Sequence, residues 1–236
     1  MFSLLASPFA AGAAAVIFVV VAAAWLAARR SIVRSLPTPV RVLPMRAVDL
    51  LPATRDAVDG LARLGFVPLG EAQVPNLVPA PVVLPFVHRE RGMLAAIRQF
   101  GGARPHTVTE FETRFACGVT LSTSSAGPSS LPLPPHCFLQ MGDGGSVAAL
   151  LERHQEGVAS LRAMGRRTRS TAAVTLGDFV HRMVTRIREQ RELFERAPAR
   201  TTALLLWRTL FGRGRHARPL HEQVGADSAP VLAPAR

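Results

Sequence analysis

Two glutamates and three histidines are the side chains of this sequence that are best suited to acid–base chemistry. Glu110 and Glu112 alternate within "TVTEFETRF", so on a β-strand they share one face, about 7 Å apart. Paired carboxylates can act as a general acid and a general base. Arg114 continues the same row, however, and such a row is typical of a solvated face. A catalytic cleft would have to bring these carboxylates together with His88, His136 and His154.

A metal site is the second chemistry to consider. The segment "HCFLQM" places His136, Cys137 and Met141 close together, and His154 follows along the chain. Imidazole, thiolate and thioether groups can hold copper or zinc, but three ligands of mixed type after a proline-rich loop are weak support. His154 is expected on the apolar face of a helix, where a hydrogen-bonded core histidine is the ordinary interpretation. We therefore predict neither a metal nor a cofactor.

The remaining catalytic signatures are weak or absent. "GDGG" at 142–145 precedes a predicted helix, whose N-terminus would favour an anion, but without a lysine or a preceding predicted strand it is more typical of a turn. Ser124, Ser125, Ser129 and Ser130 have no identifiable histidine partner. Nucleotide-binding glycine loops, the HExxH zinc motif and the GxSxG nucleophile motif do not occur in the sequence. An enzyme is the less favoured interpretation, and no catalytic residue is assigned.

The longest apolar element lies near the N-terminus. Residues 9–28 contain no charge, and a helix of that length spans about 30 Å, the thickness of a bilayer's hydrocarbon core. A cleaved signal peptide would need a positively charged start and a shorter apolar run, and a buried core helix of this length rarely lacks polar residues. We predict a retained transmembrane helix. Its expected membrane contacts are Phe9, Ile17, Phe18, Val20, Trp25, Arg29 and Arg30.

The arginines around this helix predict its orientation. None precedes it, and five follow closely, at positions 29, 30, 34, 41 and 46. Short loops rich in arginine stay in the cytoplasm. We therefore expect a single-pass protein of the inner membrane with its N-terminus outside and its C-terminal domain in the cytoplasm.

The charge of the chain narrows the range of partners. The net charge is +12, and all 28 cationic residues are arginine. Lysine also binds phosphate well, so its absence indicates a GC-rich genome rather than selection for nucleic acid, and no nucleic-acid partner is expected. Cys117 and Cys137 do not form a disulfide framework. Two free thiols in the cytosol are the ordinary interpretation, and one bridge in an oxidising compartment is the alternative.

Hydrophobic periodicity predicts an α+β domain at 47–164. Its expected elements are a helix near 48–64, a hairpin of "VVLPFVH" and "MLAAIRQF", a hairpin of "TVTEFETRF" and "VTLSTS", and a helix capped by Ser146. Pro85 predicts an edge strand or a bulge. Together they indicate an antiparallel meander of about five strands with helices packed on one face.

The predicted domain lies between basic segments. Residues 29–46 form a basic, proline-rich linker, and 165–175 form a second basic linker. Residues 176–212 form basic amphipathic helices, and 213–236 a disordered tail. The helix at 176–196 either packs its apolar stripe on the sheet, with its arginines in water, or contacts anionic lipid. The candidate lipid or partner contacts are Arg182, Arg186, Arg191, Trp207 and Phe211.

The favoured function is a membrane-anchored module that binds a partner or a small ligand near the bilayer. Its partners would be the lipid bilayer and another membrane protein or a small ligand. A membrane-surface hydrolase or transferase is one alternative, and a sensory or regulatory domain is another. Three or more of the polar candidates converging in one pocket would favour the enzyme. A large apolar cavity between the sheet and the helices would favour a ligand sensor.

Overall fold

In the part of the chain that the structure describes, the protein is an α+β structure of one mixed sheet and five helices. The computed structural model describes residues 8–45, 49–126, 133–142, 145–171, 173–211 and 220. The helices are α1 (Pro8–Ser35), α2 (Pro52–Arg63), α3 (Val147–Ala163), α4 (Leu176–Arg196) and α5 (Pro198–Phe211). The strands are β1 (Leu43–Pro44), β2 (Val67–Pro68), β3 (Ala72–Gln73), β4 (Pro81–His88), β5 (Met93–Phe100), β6 (His106–Arg114), β7 (Thr120–Ser124) and β8 (Cys137–Met141).

The sheet contains the predicted meander but extends beyond it. Its order is β1-β3-β4-β5-β6-β7-β8, with β2 also paired to β4. Strands β4 to β7 are antiparallel neighbours joined by short connections, as expected. Strand β8 pairs with β7 in parallel, so the prediction of a purely antiparallel sheet of about five strands is wrong. The connection 125–136 is long enough to return the chain to the same end of the sheet, which a parallel pair requires.

Helices cover both faces of this sheet, whereas the sequence predicted one. On the first face, α2 and α3 bury Leu61, Leu150 and Leu151 against the strand residues Ile97 and Phe111. On the second face, α4 packs Phe179 and Met183 against β4 and β5. The physical reason lies in β4 and β5, which are apolar at nearly every position and therefore bury both of their faces.

Local sequence signals at the helix ends have the predicted effect. Pro52 occupies the first turn of α2, and Gly65 just after α2 has φ +84°, a conformation that glycine adopts without strain. The Ser146 side chain accepts a hydrogen bond from the Ala149 backbone N–H and so caps α3. These signals are local, which is why they could be read from the sequence.

Pro85 lies inside the sheet, not at its edge. Strand β4 pairs with β5 on one side and with β2 and β3 on the other. The Pro85 carbonyl accepts from the Leu69 backbone N–H, so the main-chain groups of Pro85 face the side where β2 has ended and β3 has not begun. The missing proline N–H therefore costs no hydrogen bond to β5.

Helix α1 is longer than the predicted span and does not end at the arginines. It continues without interruption to Ser35. Within it, residues Ala15–Ser35 form a helical stretch that is long and apolar enough to cross a membrane. Its central side chains are exposed, Phe18 at 74%. Beyond them, Ile32 and Leu36 are buried against Ile187 and Phe194 of α4. The end of the apolar helix is thus part of the folded domain. The predicted tail at 213–236 lies outside the described residues, apart from Leu220.

Candidate functional site: a cavity beneath helix α4

A cavity of about 420 Å³ lies between α4 and the sheet. Much of its lining is apolar and includes Leu77, Val78, Pro79, Pro81 and Val83 around strand β4. The charged residues of the lining are Arg98, Glu110, Glu112, Arg182 and Arg186. Ser35, the last residue of α1, also lines it. The cavity is therefore amphipathic and lies beside the end of the apolar helix.

Strand pairing aligns the charged residues with the floor of this cavity. Glu110 pairs with Ala96 of β5 and with Ser124 of β7. All three side chains point to the α4 face because side chains alternate along a strand. Arg98 pairs with Val108, so it is the diagonal neighbour of Glu110 and can reach it. On α4, four-residue spacing brings Arg182, Arg186 and Gln190 to the cavity side of the helix.

Glu110 is the centre of a buried ion cluster. One of its oxygens lies 2.5 Å from Arg98 Nη1, and the other accepts from Arg186 Nη1 at 2.9 Å. Arg186 Nη1 also lies 3.7 Å from Glu112 Oε2 and 3.3 Å from the Ser122 hydroxyl. The Glu110 side chain is only 7% exposed. A lone buried carboxylate would be costly, and the two guanidinium groups offset that cost.

This location corrects the solvated face predicted for Glu110. The alternation of "TVTEFETRF" was interpreted correctly, since Phe111 and Thr113 are buried on the α2–α3 face. The opposite face is covered by α4, however, and Glu110 is buried there. The prediction failed because no local pattern indicates that a helix more than sixty residues away covers this row.

Charge and burial act in opposite directions on the protonation of the cluster. Burial alone would raise the pKa of Glu110, but Arg98 and Arg186 outweigh burial and lower that pKa to about 2. Glu110 in turn raises the pKa of Arg186. Burial raises the pKa of the nearby Cys137 thiol to about 11, although Arg186 opposes the effect. At neutral pH the carboxylate is ionised and the thiol is protonated, so Glu110 is unsuited to accept or donate a proton.

The three candidate histidines do not join this cavity. His154 lies on the opposite face of the sheet, fully buried, between the Thr113 and Thr123 hydroxyls at 2.9 and 2.8 Å. His88 packs edge-on against Phe66, with ring centroids 5.2 Å apart. His136 is half-exposed, 3.5 Å from Glu189. Only Glu110 and Glu112 of the five polar candidates line the cavity, so the convergence expected of an enzyme does not occur.

In the described part of the chain, the remaining candidate residues do not form a common site either. Among the described residues, no three His, Cys, Asp or Glu side chains form a group that could hold a metal. Both cysteines are free thiols, with Cys117 exposed and Cys137 half-buried. Ser125 accepts from the Thr109 backbone N–H, and Ser124 accepts from Ala126. Strand β8 directly precedes "GDGG", contrary to expectation. Residues 143 and 144, Ser129 and Ser130 lie outside the described part.

The basic helix α4 packs on the sheet, and its arginines differ in environment. Arg186 is held by Glu110, and Arg191 Nη1 donates to the Leu36 carbonyl at 2.8 Å. Arg182 is half-buried at the cavity. Contact of these residues with lipid or a partner stays a prediction, as do the membrane contacts of α1. The side chains of Phe9, Trp207 and Phe211 lie outside the described residues.

Sequence reasoning missed the cavity and the role of Arg98. The one available signal was an arginine near the end of the otherwise apolar strand "MLAAIRQF". A charge in a strand buried on both faces needs a partner, and the nearest strand that carries carboxylates was "TVTEFETRF". Comparison of the chain with protein-family models, curated proteins and solved structures gives no match.

Proposed function

We propose that the chain is a single-pass membrane protein whose α+β domain, held at the cytoplasmic face, is a binding module for a small ligand. The observation that carries this proposal is the amphipathic cavity of about 420 Å³ between the sheet and α4. Small-molecule sites are typically concave, largely apolar and of roughly 300–1,000 Å³, with a few fixed polar groups. The cavity meets each of these criteria.

Exposure along α1 supports the membrane anchor. Val16, Ile17 and Phe18 are 63%, 63% and 74% exposed. A core helix would bury such residues, and a continuous apolar surface of this kind in water would favour association with lipid or protein. The arginines at 29, 30 and 34 support the inward orientation of the C-terminal side.

A sensory role is the second candidate, because α4 contacts both the cavity and the anchor. Its Met183 and Arg186 line the cavity, and Ile187, the next residue, packs against Ile32 and Leu36 at the end of α1. A ligand that shifts α4 would therefore act on residues joined directly to the membrane helix. The enzyme alternative has less support, because Glu110 is held by two arginines and His106 is the only histidine among the described residues that lines the cavity.

Alkaline carbonate extraction of native membranes tests the anchor. The wild-type chain should stay in the pellet, and a reporter fused after Arg236 should be active in the cytoplasm. Val19→Arg should release much of the chain, because arginine at a helix centre costs about 2.5–3.5 kcal/mol on insertion. Val19→Leu is the matched control and should behave as wild type. Release of the wild-type chain, or a mature N-terminus beyond Ala28, would overturn the anchor.

A further inference from the structure

The charges around the cavity do not balance. Three arginines and two glutamates line it. Arg98 and Arg186 both bridge Glu110, and Arg186 also approaches Glu112. None of the salt bridges formed within the described part of the chain includes Arg182. One guanidinium in excess therefore lies at the cavity, with no counter-ion close enough to bridge it among those residues.

The surroundings of Arg182 favour an added anion. Burial lowers the pKa of Arg182, and the positive charge of Arg114 lowers it further, against the opposing effects of Glu112 and Asp178. A cation in such a place is destabilised relative to water, and an anionic group brought to it would remove that destabilisation. The geometry agrees, since Arg182 lies one turn before Arg186 on the cavity side of α4.

The apolar part of the cavity lining requires a different chemistry from the same ligand. Val83, Phe179 and Met183 form apolar contacts there, and Leu77 extends them towards the end of α1. A small polar anion would leave this wall uncovered, whereas a hydrocarbon chain would cover it. The volume of about 420 Å³ lies in the lower part of the range for small-molecule sites, which suits one chain rather than two.

The position of the cavity indicates where such a ligand would come from. Ser35, which lines the cavity, is the last residue of the apolar helix, so under the proposed function the cavity lies next to the bilayer surface. We infer that the cavity binds a single-chain anionic lipid, its hydrocarbon chain along the β4 side and its carboxylate or phosphate head at Arg182. This inference rests on the proposed function, because only a chain anchored at the bilayer has its opening next to that lipid.

Photolabelling of the full chain in phosphatidylcholine nanodiscs tests the inference. A fatty acid with a diazirine near the end of its chain should label peptides of β4 and α4. Palmitate and lysophosphatidic acid should compete, which separates a carboxylate head from a phosphate head. Hexadecanol, which lacks the charge, should compete at least tenfold more weakly, because it forms no charge-assisted hydrogen bond with Arg182. Inorganic phosphate, which lacks the chain, should also compete at least tenfold more weakly, because it buries no apolar surface.

Variants locate the head group and the opening. Arg182→Gln should weaken palmitate binding roughly tenfold or more and leave hexadecanol binding unchanged. Arg188→Gln on the exposed side of the same helix is the matched control and should have no effect. Val78→Trp, at a lining residue that is 60% exposed, should reduce labelling by the diazirine fatty acid and weaken competition by both palmitate and hexadecanol.

Each contrary outcome has a distinct meaning. Equal loss in Arg182→Gln and Arg188→Gln would overturn the inference in favour of general surface attraction. Hexadecanol competing as well as palmitate would overturn the role of Arg182. Competition by inorganic phosphate as strong as that by palmitate would overturn the role of the hydrocarbon chain. If labelling avoids β4 and α4 altogether while the chain still resists carbonate, the lipid inference fails and the anchor stands; release by carbonate would remove the anchor itself.

Discussion

Strands β6 and β7 carry a buried polar cluster on each of their two faces, and the two clusters differ in kind. On the α3 face, His154 is held by Thr113 and Thr123, and Thr123 donates to Gln140 Oε1 at 3.1 Å. On the α4 face, Glu110 is held by Arg98 and Arg186. The first cluster is neutral and closed by packing, whereas the second is charged and borders a cavity.

The hydrogen bonds of the neutral cluster determine which atoms carry its protons. Because Thr123 donates its only hydroxyl proton to Gln140, it must accept from His154 Nδ1–H, and Thr113 then donates to Nε2. Burial lowers the pKa of His154 to about 3 and keeps the ring neutral, although Glu110 opposes the shift from the other face. Both ring nitrogens of His154 and both threonine hydroxyls have partners, so this cluster is structural. Beside the charged cluster, Arg182 lines the cavity and forms no salt bridge in the described part of the chain. A cation without a counter-ion can bind an anionic ligand.

Among the variants that test this comparison, Glu110→Gln should lower the stability of the fold most. The substitution keeps the shape of the side chain but leaves two guanidinium groups facing a neutral amide in a buried position. Removing one partner of a buried ion pair costs about 3–5 kcal/mol, so the midpoint of urea unfolding of the full chain in dodecyl maltoside should fall sharply. Circular dichroism follows this unfolding, since neither tryptophan lies in the sheet.

An exposed ion pair gives the control for that substitution. Glu156→Gln removes the partner of Arg153 on the surface of α3, where both side chains are more than half exposed. Such pairs contribute about 0–1 kcal/mol. Equal losses in Glu110→Gln and Glu156→Gln would mean that the cluster beneath α4 is not buried in solution, and the contrast between the two faces would disappear.

The neutral cluster should respond to His154→Leu by a smaller amount. The variant leaves the Thr113 hydroxyl without a partner, while Thr123 keeps Gln140. An unsatisfied buried hydroxyl costs about 1–3 kcal/mol, which the same unfolding measurement can resolve. His136→Leu is the matched control, because that ring is half-exposed, and it should change stability by about 0.5 kcal/mol or less. A loss in His154→Leu as large as in Glu110→Gln would contradict the distinction between the clusters.

The features of the fold that could be predicted from the sequence are those that depend on residues close together along the chain. The caps at Pro52, Gly65 and Ser146 and the alternation around Phe111 depend on neighbouring residues, and their interpretation was correct. The core position of His154 also followed from the stripe of its own helix.

The rest depends on tertiary contacts that no local pattern encodes. The pairing of Glu110 with Arg186 joins residues 76 positions apart. The sequence showed an apolar stripe on α4 and a polar row on β6, but nothing in either indicated that they face each other. The doubly apolar strands β4 and β5 were the missed signal, because a strand buried on both faces requires a second layer of helices.

As the pH falls, the neutral cluster should begin to lose its contribution to the free energy of unfolding at a higher pH than the charged cluster. His154 has a pKa lowered from 6.5 to about 3, so the unfolded state binds a proton first and stability falls as the pH drops below 6.5. His88, whose pKa is lowered by burial and by Arg91, contributes in the same direction. Glu110 has a pKa lowered from 4.5 to about 2, so its contribution is complete above 4.5 and is lost as the pH falls from there to 2.

The pH dependence of the unfolding midpoint, measured for wild type and for each variant, tests this difference between the clusters. One titrating group changes stability by at most about 1.4 kcal/mol per pH unit. Between pH 6.5 and 4.5, His154→Leu should have a shallower slope than wild type, and Glu110→Gln should not. Below pH 4.5, Glu110→Gln should also have a shallower slope than wild type, while His154→Leu stays shallower down to about pH 3 and returns to the wild-type slope below it. An unchanged slope in His154→Leu above pH 4.5 would mean that the ring is already charged or exposed in the fold.

Of the variants within the two clusters and the cavity lining, Glu112→Gln should change stability least, and it distinguishes residues that stabilise the fold from residues that set the charge of the cavity. Glu112 is 22% exposed and lies 3.7 Å from Arg186, whose guanidinium keeps its contact with Glu110. Its removal should therefore cost no more than about 1 kcal/mol in urea unfolding. The same variant raises the excess of positive charge around Arg182, because Glu112 opposes the lowering of the pKa of that group. Anionic lipid should then bind more tightly while hexadecanol binds as before. A large loss of stability would place Glu112 in the structural cluster with Glu110, and unchanged lipid affinity would mean that the charge around Arg182 does not govern what the cavity binds.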